Sequence, residues 1–182
     1  MLAIAIVPGK RVYESILKIW NVIDKNNGIR FISSNSGLPH ITLIAELDES
    51  KKEEIINSIK SSILSTKPFK ICSRGFGAFL IETPLIYLRW KDSKKLNSLR
   101  SNILKDLKKN KLVDTNLIEN YDWIPKTTIC YKDIFYENNL INVISAIKSI
   151  MIEDIDEQVY RLILIRYLEG EKEKVVEEFS LK

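Results

Sequence analysis

The apolar residues at the start of the chain follow two different periods. A short run over residues 2–7 ends at Pro8 and Gly9, which favours a buried strand over a helix of so few residues. The apolar residues that follow recur at helical spacing, and turn residues at 26–28 end the segment. We therefore predict a strand and then an amphipathic helix, whose apolar stripe consists of Tyr13, Ile16, Leu17, Trp20 and Ile23.

The rest of the chain continues this mixture of strands and helices. Strands are predicted at 29–32, from Pro39 onwards, and at 69–81, 85–90, 124–131, 159–168 and 175–181. Amphipathic helices are predicted around 55–63, 96–107 and 140–151. No linker is long enough to separate independent domains, so we expect a single domain over residues 1–182 with mixed α and β structure.

Three connections in this scheme are predicted from their turn residues and charges. The residues Glu82, Thr83 and Pro84 join the two strands at 69–81 and 85–90 into a hairpin. Gly170 is the expected turn residue between the last two strands. The acidic group at 153–157 has no accompanying histidine and is typical of a loop rather than of a metal site.

Composition narrows the protein class. Hydrophobic residues make up 45% and charged residues 29% of the 182 residues, which permits a sizeable core and argues against global disorder. No apolar run approaches the ~20 residues that a membrane span needs, and the N-terminus lacks the charged region of a signal peptide. We therefore expect a cytoplasmic monomer without membrane contacts. Cys72 and Cys130 form no CxxC pair, so neither a disulfide scaffold nor a zinc site is indicated.

One histidine, His40, is present in the whole chain. Mechanisms that need two histidines are therefore excluded, as are histidine-rich metal sites. A net charge of +4 permits a phosphate-bearing ligand without requiring nucleic acid. Any proton transfer by an imidazole must use His40.

An internal repeat surrounds this histidine. Residues 38–44 and 124–130 share the order apolar residue, proline, basic residue, β-branched residue, threonine and two further apolar or soft residues. His40 and Lys126 occupy the basic position 86 residues apart, which suggests two related halves. Because residues i and i+2 of a strand point to one face, Thr42 should accompany His40 and Thr128 should accompany Lys126. Two basic groups and two hydroxyls would then suit a phosphate.

At these residues the sequence resembles the 2H phosphoesterase superfamily, which includes 2′-5′ RNA ligase-like proteins and cyclic phosphodiesterases. The order of the segments around 29–32, 75–79 and 123–125 is also similar to that family. The resemblance implies an α+β, bilobal, pseudo-twofold fold with two antiparallel-rich sheets flanked by helices around a central cleft. It also implies catalysis without a metal or other cofactor, by His40 and Lys126, with Thr42 and Thr128 binding the phosphate.

The chain departs from the family pattern at one position. Lys126 stands where the family carries its second catalytic histidine. An unperturbed lysine with a pKa near 10.4 is protonated at neutral pH, so it stabilises negative charge but cannot serve as a base. Three functions stay open at this point. The first is a weak phosphoesterase that acts on a nucleotide or RNA end, either a 2′,3′-cyclic phosphate or a 2′-5′ linkage. The second is a non-catalytic module that binds the same phosphate, and the third is a scaffold that serves only protein contacts.

Other residues receive structural interpretations. Tyr131 is five positions after Lys126, so it should point to the opposite face of the strand and pack. Cys130 is expected to be a buried structural thiol. Arg161 and Arg166 lie on opposite faces of one strand, so at most one of them can face a shared cleft. Packing is the expected role of the aromatic residues Tyr87 and Trp90.

Overall fold

The structure is a computed structural model that describes residues 1–27, 37–79, 84–114, 123–131, 139–150, 154–168 and 172–182. Its strands are β1 Leu2–Ile6, β2 Ile41–Leu47, β3 Phe69–Phe79, β4 Leu85–Trp90, β5 Lys126–Cys130, β6 Asp156–Val159, β7 Arg161–Arg166 and β8 Lys174–Ser180. Its α-helices are α1 Lys10–Asn27, α2 Lys52–Leu64, α3 Lys94–Lys109 and α4 Asn139–Ser149, and a 3₁₀ turn at Glu49–Lys51 precedes α2. The predicted strand at 29–32 and the turn at Gly170 lie outside the described residues.

The strands of the described segments form two antiparallel sheets of four. The order in the first sheet is β2-β1-β7-β8, and the order in the second is β5-β4-β3-β6. The hairpin predicted from the two stretches around Pro84 is confirmed, because β3 pairs antiparallel with β4. Two antiparallel sheets with helices confirm the expected α+β class. The strands that carry the repeat, β2 and β5, each lie at an edge of their sheet, and the two edges contact each other.

The helices link the two sheets through the core. Helix α1 contacts β5 and β6 of the second sheet, although it follows β1 of the first, and it also packs against α4. Helices α2 and α3 pack together, with α3 against β2 and α2 against β8. Apolar burial drives this arrangement, and one continuous cluster of buried residues spans both sheets. Within α1 one stripe residue differs from prediction: Leu17 is 39% exposed, whereas Val12 and Ile19 are fully buried.

The acidic segment around 156 is where the structure departs most clearly from the sequence prediction. Residues 156–159 form β6, which pairs with β3, so the predicted loop is a strand. The predicted strand 159–168 is divided at Tyr160, which is exposed, and the chain passes there from the second sheet to the first. No glycine or proline marks this crossing. Glu157 is buried, and its carboxylate accepts a hydrogen bond from the Val12 backbone N–H, 2.9 Å away, near the start of α1. This bond and the positive end of the helix dipole offset the cost of burying the carboxylate.

The second repeat strand is shorter than predicted and is anchored in the core. β5 spans 126–130 rather than 124–131. Within it Thr127 is buried and accepts a hydrogen bond from the Trp90 indole N–H at 3.0 Å. Trp90 is itself almost fully buried, as the packing interpretation predicts. In the ranges that the structure describes, no helix is long and apolar enough to cross a membrane.

Candidate functional site

His40 lies immediately before β2, and its ring is oriented by the backbone. Its Nδ1 atom is 2.8 Å from the carbonyl oxygen of Leu38. A carbonyl oxygen can only accept, so Nδ1 carries a proton and donates it. Burial lowers the pKa of His40, and the positive charge of Lys126 lowers that pKa further, whereas the bond to Leu38 raises it. His40 is therefore neutral at neutral pH, and its Nε2 atom is unprotonated and can accept a hydrogen bond.

A tyrosine hydroxyl contacts the Nε2 lone pair. The Tyr167 hydroxyl, just beyond β7, lies 3.2 Å from Nε2 of His40. Because Nε2 is unprotonated in the neutral ring, the hydroxyl is the donor. The side chain of Thr42 hydrogen-bonds to Tyr167 and lowers its pKa, but burial has the larger effect and raises that pKa above its usual value. His40 and Thr42 thus share one tyrosine partner.

Lys126 opens the facing strand, β5. It pairs in register with Arg89 of β4, and its Nζ atom lies 5.7 Å from the centre of the Phe79 ring. Burial lowers the pKa of Lys126. Its charge acts on His40, so the two basic groups of the repeat lie close enough to interact electrostatically. A partly buried ammonium group that remains charged attracts an anion more strongly than one in open water.

Thr128 is the second hydroxyl on β5, and Tyr131 accompanies it. The side chain of Thr128 hydrogen-bonds to Tyr131 and lowers its pKa, although burial, the largest effect, and the charge of Glu173 raise that pKa. Tyr131 packs against the core, as predicted, but the predicted orientation away from the Lys126 face is wrong, because β5 ends at Cys130 and strand alternation no longer applies beyond it. Cys130 is fully buried, as expected, and burial raises its pKa to about 12.

Glu173 is a site residue that sequence reasoning missed. Its Oε2 atom accepts a hydrogen bond from the Gly37 backbone N–H at 3.1 Å and lies 3.9 Å from Nδ1 of His40. Burial raises the pKa of Glu173 to about 7, and the hydrogen bond from Gly37 acts in the opposite direction. Its charge also acts on Tyr131 and Tyr167. The only sequence signal was one glutamate within a charged turn, which is indistinguishable from a solvated residue.

Trp123, just before β5, and Arg100 of α3 both hydrogen-bond to the backbone of β2. The Trp123 indole N–H donates to the Thr42 carbonyl oxygen at 3.0 Å. The Arg100 Nε–H donates to the Leu43 carbonyl oxygen at 3.0 Å, and its guanidinium lies 4.9 Å from the Trp123 ring centre. These contacts satisfy backbone groups of β2, beside which the described part of the chain places no further strand on that side. The sequence suggested no such role for either residue.

The two arginines of β7 form ion pairs with glutamates outside the group of residues around His40. Arg161 forms an exposed ion pair with Glu178, and Arg166 pairs with Glu49 near the start of α2. Tyr87 is buried and stacks on Phe79, with ring centres 4.7 Å apart. Within the described ranges, no three His, Cys, Asp or Glu side chains are grouped as metal ligands.

Two antiparallel sheets, with a basic residue and a threonine contributed by an edge strand of each, define the class of two-motif phosphoesterase folds. The chain belongs to the 2′-5′ RNA ligase superfamily, whose pattern matches residues 31–171. No curated protein matches the sequence.

Solved structures agree with this assignment at the level of the fold. TT0787 of Thermus thermophilus is 15% identical with a TM-score of 0.70, covering 99% of this chain and 97% of that one. E. coli LigT complexed with 3′-AMP is 14% identical with a TM-score of 0.65, covering 100% and 97%. E. coli LigT complexed with NADP+ is 13% identical with a TM-score of 0.60, covering 99% and 96%.

Proposed function

We propose that this protein is a metal-independent phosphoesterase that cleaves a phosphodiester at a nucleotide or RNA end, either a 2′,3′-cyclic phosphate or a 2′-5′ linkage. The observation that carries the proposal is the contact between β2 and β5, which brings His40, immediately before β2, and Lys126, the first residue of β5, close enough for the lysine charge to act on the imidazole. One is a base and the other a cation, and each is accompanied by a threonine two positions later. We take residues 1–182 as one domain whose two related lobes each supply one such pair.

His40 is the general base of the proposed reaction. Its Nε2 lone pair removes a proton from the attacking water as the new phosphorus–oxygen bond forms. The depressed pKa of His40 keeps this lone pair available at neutral pH. The Tyr167 hydroxyl now occupies the same lone pair, so the attacking water takes the place of that contact.

Lys126 stabilises the negative charge of the phosphate in the transition state. The bond to the leaving oxygen breaks on the side opposite the attacking water, and that oxygen takes a proton from solvent while Lys126 stabilises the charge. Burial lowers the pKa of Lys126. The ordinary pKa of a lysine is far above that of a histidine, so a lysine is the poorer proton donor at neutral pH. We therefore expect slow turnover compared with a site that has two histidines.

Thr42 and Thr128 bind the non-bridging oxygens. Each hydroxyl has one tyrosine partner, Tyr167 and Tyr131 respectively. A threonine hydroxyl has a single proton, so each gives up its tyrosine contact when it donates to a phosphate oxygen. That E. coli LigT has been crystallised with 3′-AMP and with NADP+ supports a nucleotide as the ligand class here.

The second candidate is a nucleotide-binding module without turnover. The observation that favours it is Lys126 itself, because a lysine binds phosphate well and transfers protons poorly at neutral pH. Both candidates use the same four residues, and only a measurement of turnover separates them.

The test is hydrolysis of 2′,3′-cyclic nucleotides and 2′-5′ dinucleotides in the presence of a chelator. We expect slow hydrolysis by the wild type and none by His40→Ala. Lys126→Ala should lose affinity for the nucleotide, whereas Lys91→Ala should retain it, because Lys91 pairs with Asp154 at the surface, 2.8 Å away. Nucleotide binding without hydrolysis in any variant would support the binding module, and absence of both would refute the two candidates.

A further inference from the structure

The turn that precedes His40 is held by a residue from the distant C-terminal part of the chain. Oε2 of Glu173 accepts the Gly37 backbone N–H at 3.1 Å, across a sequence separation of 136 residues. The backbones also touch there: a Cβ atom added to Gly37 would lie 2.4 Å from the carbonyl oxygen of Glu173. Any side chain at residue 37 would therefore push the two segments apart.

This turn determines which nitrogen of His40 carries the proton. Leu38, the residue after Gly37, supplies the carbonyl oxygen that accepts the Nδ1 proton at 2.8 Å. If that carbonyl moved, Nδ1 would lose its acceptor, because the Glu173 carboxyl oxygen, 3.9 Å away, is beyond hydrogen-bond distance. The tautomer with the proton on Nδ1 is the one that leaves Nε2 free to act as a base.

We infer that Glu173 is the positioning residue of His40: its carboxyl group holds Gly37, and through Gly37 it keeps the Leu38 carbonyl where that oxygen retains the Nδ1 proton. This inference rests on the proposed function for its catalytic meaning, but the contact and the tautomer exist without a substrate. The family match ends at residue 171, so the likeness assigns nothing to Glu173.

The groups around Glu173 determine how far its carboxyl group is ionised. Its side chain is only 9% exposed. Among the residues that the structure describes, the titratable groups that face it are His40 before β2, Tyr131 after β5 and Tyr167 after β7, and Lys126 acts on the same imidazole. None of these contacts gives Glu173 a cation at neutral pH, since His40 is neutral. Because burial raises the pKa of Glu173 to about 7, its carboxyl group is about half protonated there, and it accepts from Gly37 in either form.

The sole histidine of the chain makes the inference directly measurable. All imidazole signals in a nitrogen-15 NMR spectrum belong to His40, so its tautomer can be measured without assignment or substrate. We expect the wild type to hold the Nδ1–H tautomer. Glu173→Gln should retain it, because the amide oxygen still accepts from Gly37. Glu173→Ala and Gly37→Ala should both shift His40 towards the Nε2–H form.

A matched control and a second measurement keep the test decisive. Glu157 is another buried carboxylate that accepts a backbone N–H, from Val12, so Glu157→Gln should leave the His40 tautomer unchanged. In the folded wild type, the Gly37 amide signal should titrate with a midpoint near 7, and Glu173→Gln should abolish that titration. An unchanged tautomer in folded Glu173→Ala would overturn the inference. If Glu173→Ala loses the Nδ1–H tautomer but the wild type hydrolyses no substrate, the inference about Glu173 stands and only the proposed function is refuted.

Discussion

The Tyr167 hydroxyl lies 3.2 Å from Nε2 of His40, a residue 127 positions earlier in the chain. With Nδ1 donating to Leu38, both nitrogens of the imidazole have a partner in the folded protein. The ring is thus fixed at both ends, and the hydroxyl that contacts the proposed catalytic nitrogen also hydrogen-bonds to Thr42. Substrate binding and the protonation of His40 are therefore linked through Tyr167.

The first prediction concerns this contact. Tyr167→Phe should raise the pKa of His40, because the hydroxyl donates to the lone pair and so stabilises the neutral ring. A hydrogen bond makes a net contribution of about 0.5–1.5 kcal/mol. One pKa unit corresponds to about 1.4 kcal/mol, so the pKa of His40 should rise by about 0.5 to 1. An NMR titration of the single histidine measures it. Tyr131→Phe is the control, since Tyr131 contacts Thr128 instead, and a similar rise in that variant would contradict the assignment.

The second prediction separates two adjacent threonines of β5. Thr127 accepts the buried Trp90 indole N–H, and Thr128 lies on the opposite face with Tyr131. Thr127→Val should lower the free energy of unfolding by about 1–3 kcal/mol, because it leaves a buried donor without an acceptor. Thr128→Val should change stability less but weaken nucleotide binding.

Denaturant unfolding and calorimetric titration of both valine variants make the comparison. If Thr127→Val weakened binding while Thr128→Val did not, the assignment of the two faces would be reversed. Strand periodicity alone would then be a misleading guide to this site.

The third prediction is a pH dependence of stability that arises from Glu173. Its pKa is raised to about 7 in the folded protein from 4.5. The native state therefore binds the proton more tightly, and the stabilisation present below pH 4.5 is lost as the pH rises through 7. At about 1.4 kcal/mol per pKa unit, this loss is about 3 kcal/mol. Glu173→Gln cannot ionise and should escape it.

The measurement is urea unfolding of both proteins at pH 5 and pH 8. Burial depresses the pKa of His40, which acts with the opposite sign: that contribution is lost as the pH falls below 6.5. His40 is present in both proteins, so the difference between wild type and Glu173→Gln isolates Glu173. Parallel pH dependences in the two proteins would show that Glu173 does not titrate as described.

Much of the architecture could be predicted from the sequence, because individual helices and strands depend on local sequence patterns. Apolar periodicity predicted α1 and the β3–β4 hairpin, and the repeat predicted that His40, Thr42 and their counterparts begin equivalent strands. The division at Tyr160 was not predictable, since the residues on both sides are strand-forming and no turn residue separates them. Which sheet a strand joins is decided by long-range pairing rather than by its own composition.

The sequence predicted only those site residues that belong to the internal repeat. His40 and Lys126 were found through matched heptads, whereas Tyr167 directly follows β7, Glu173 directly precedes β8, and neither has a counterpart in either heptad. Their proximity to His40 results from the pairing of β7 with β1 and of β8 with β7. Contacts across more than 100 residues leave no local pattern, so one sequence alone could not identify them.

The last prediction distinguishes an enzyme from a binding module through Lys126. Lys126→Ala should weaken binding of a nucleoside monophosphate by about 1.5–3 kcal/mol, the contribution of a hydrogen bond to a charged group, and salt should weaken wild-type binding because it screens exposed charge. Lys126→His should add a group with a pKa near 6.5 that donates and accepts protons at neutral pH. General acid–base participation contributes about 10²- to 10⁴-fold, so hydrolysis of a 2′,3′-cyclic nucleotide should become faster than in the wild type.

His40→Ala in either background is the control for that gain and should abolish it. The pKa of His40 offers an independent check, because removing the Lys126 charge in Lys126→Ala should raise that pKa, whereas Lys91→Ala should not. A fast wild type that is slowed by Lys126→His would identify Lys126 as a tuned proton-transfer group, contrary to its proposed electrostatic role. Equal nucleotide affinity in wild type and Lys126→Ala would instead remove Lys126 from the site, even if His40 were still required for hydrolysis.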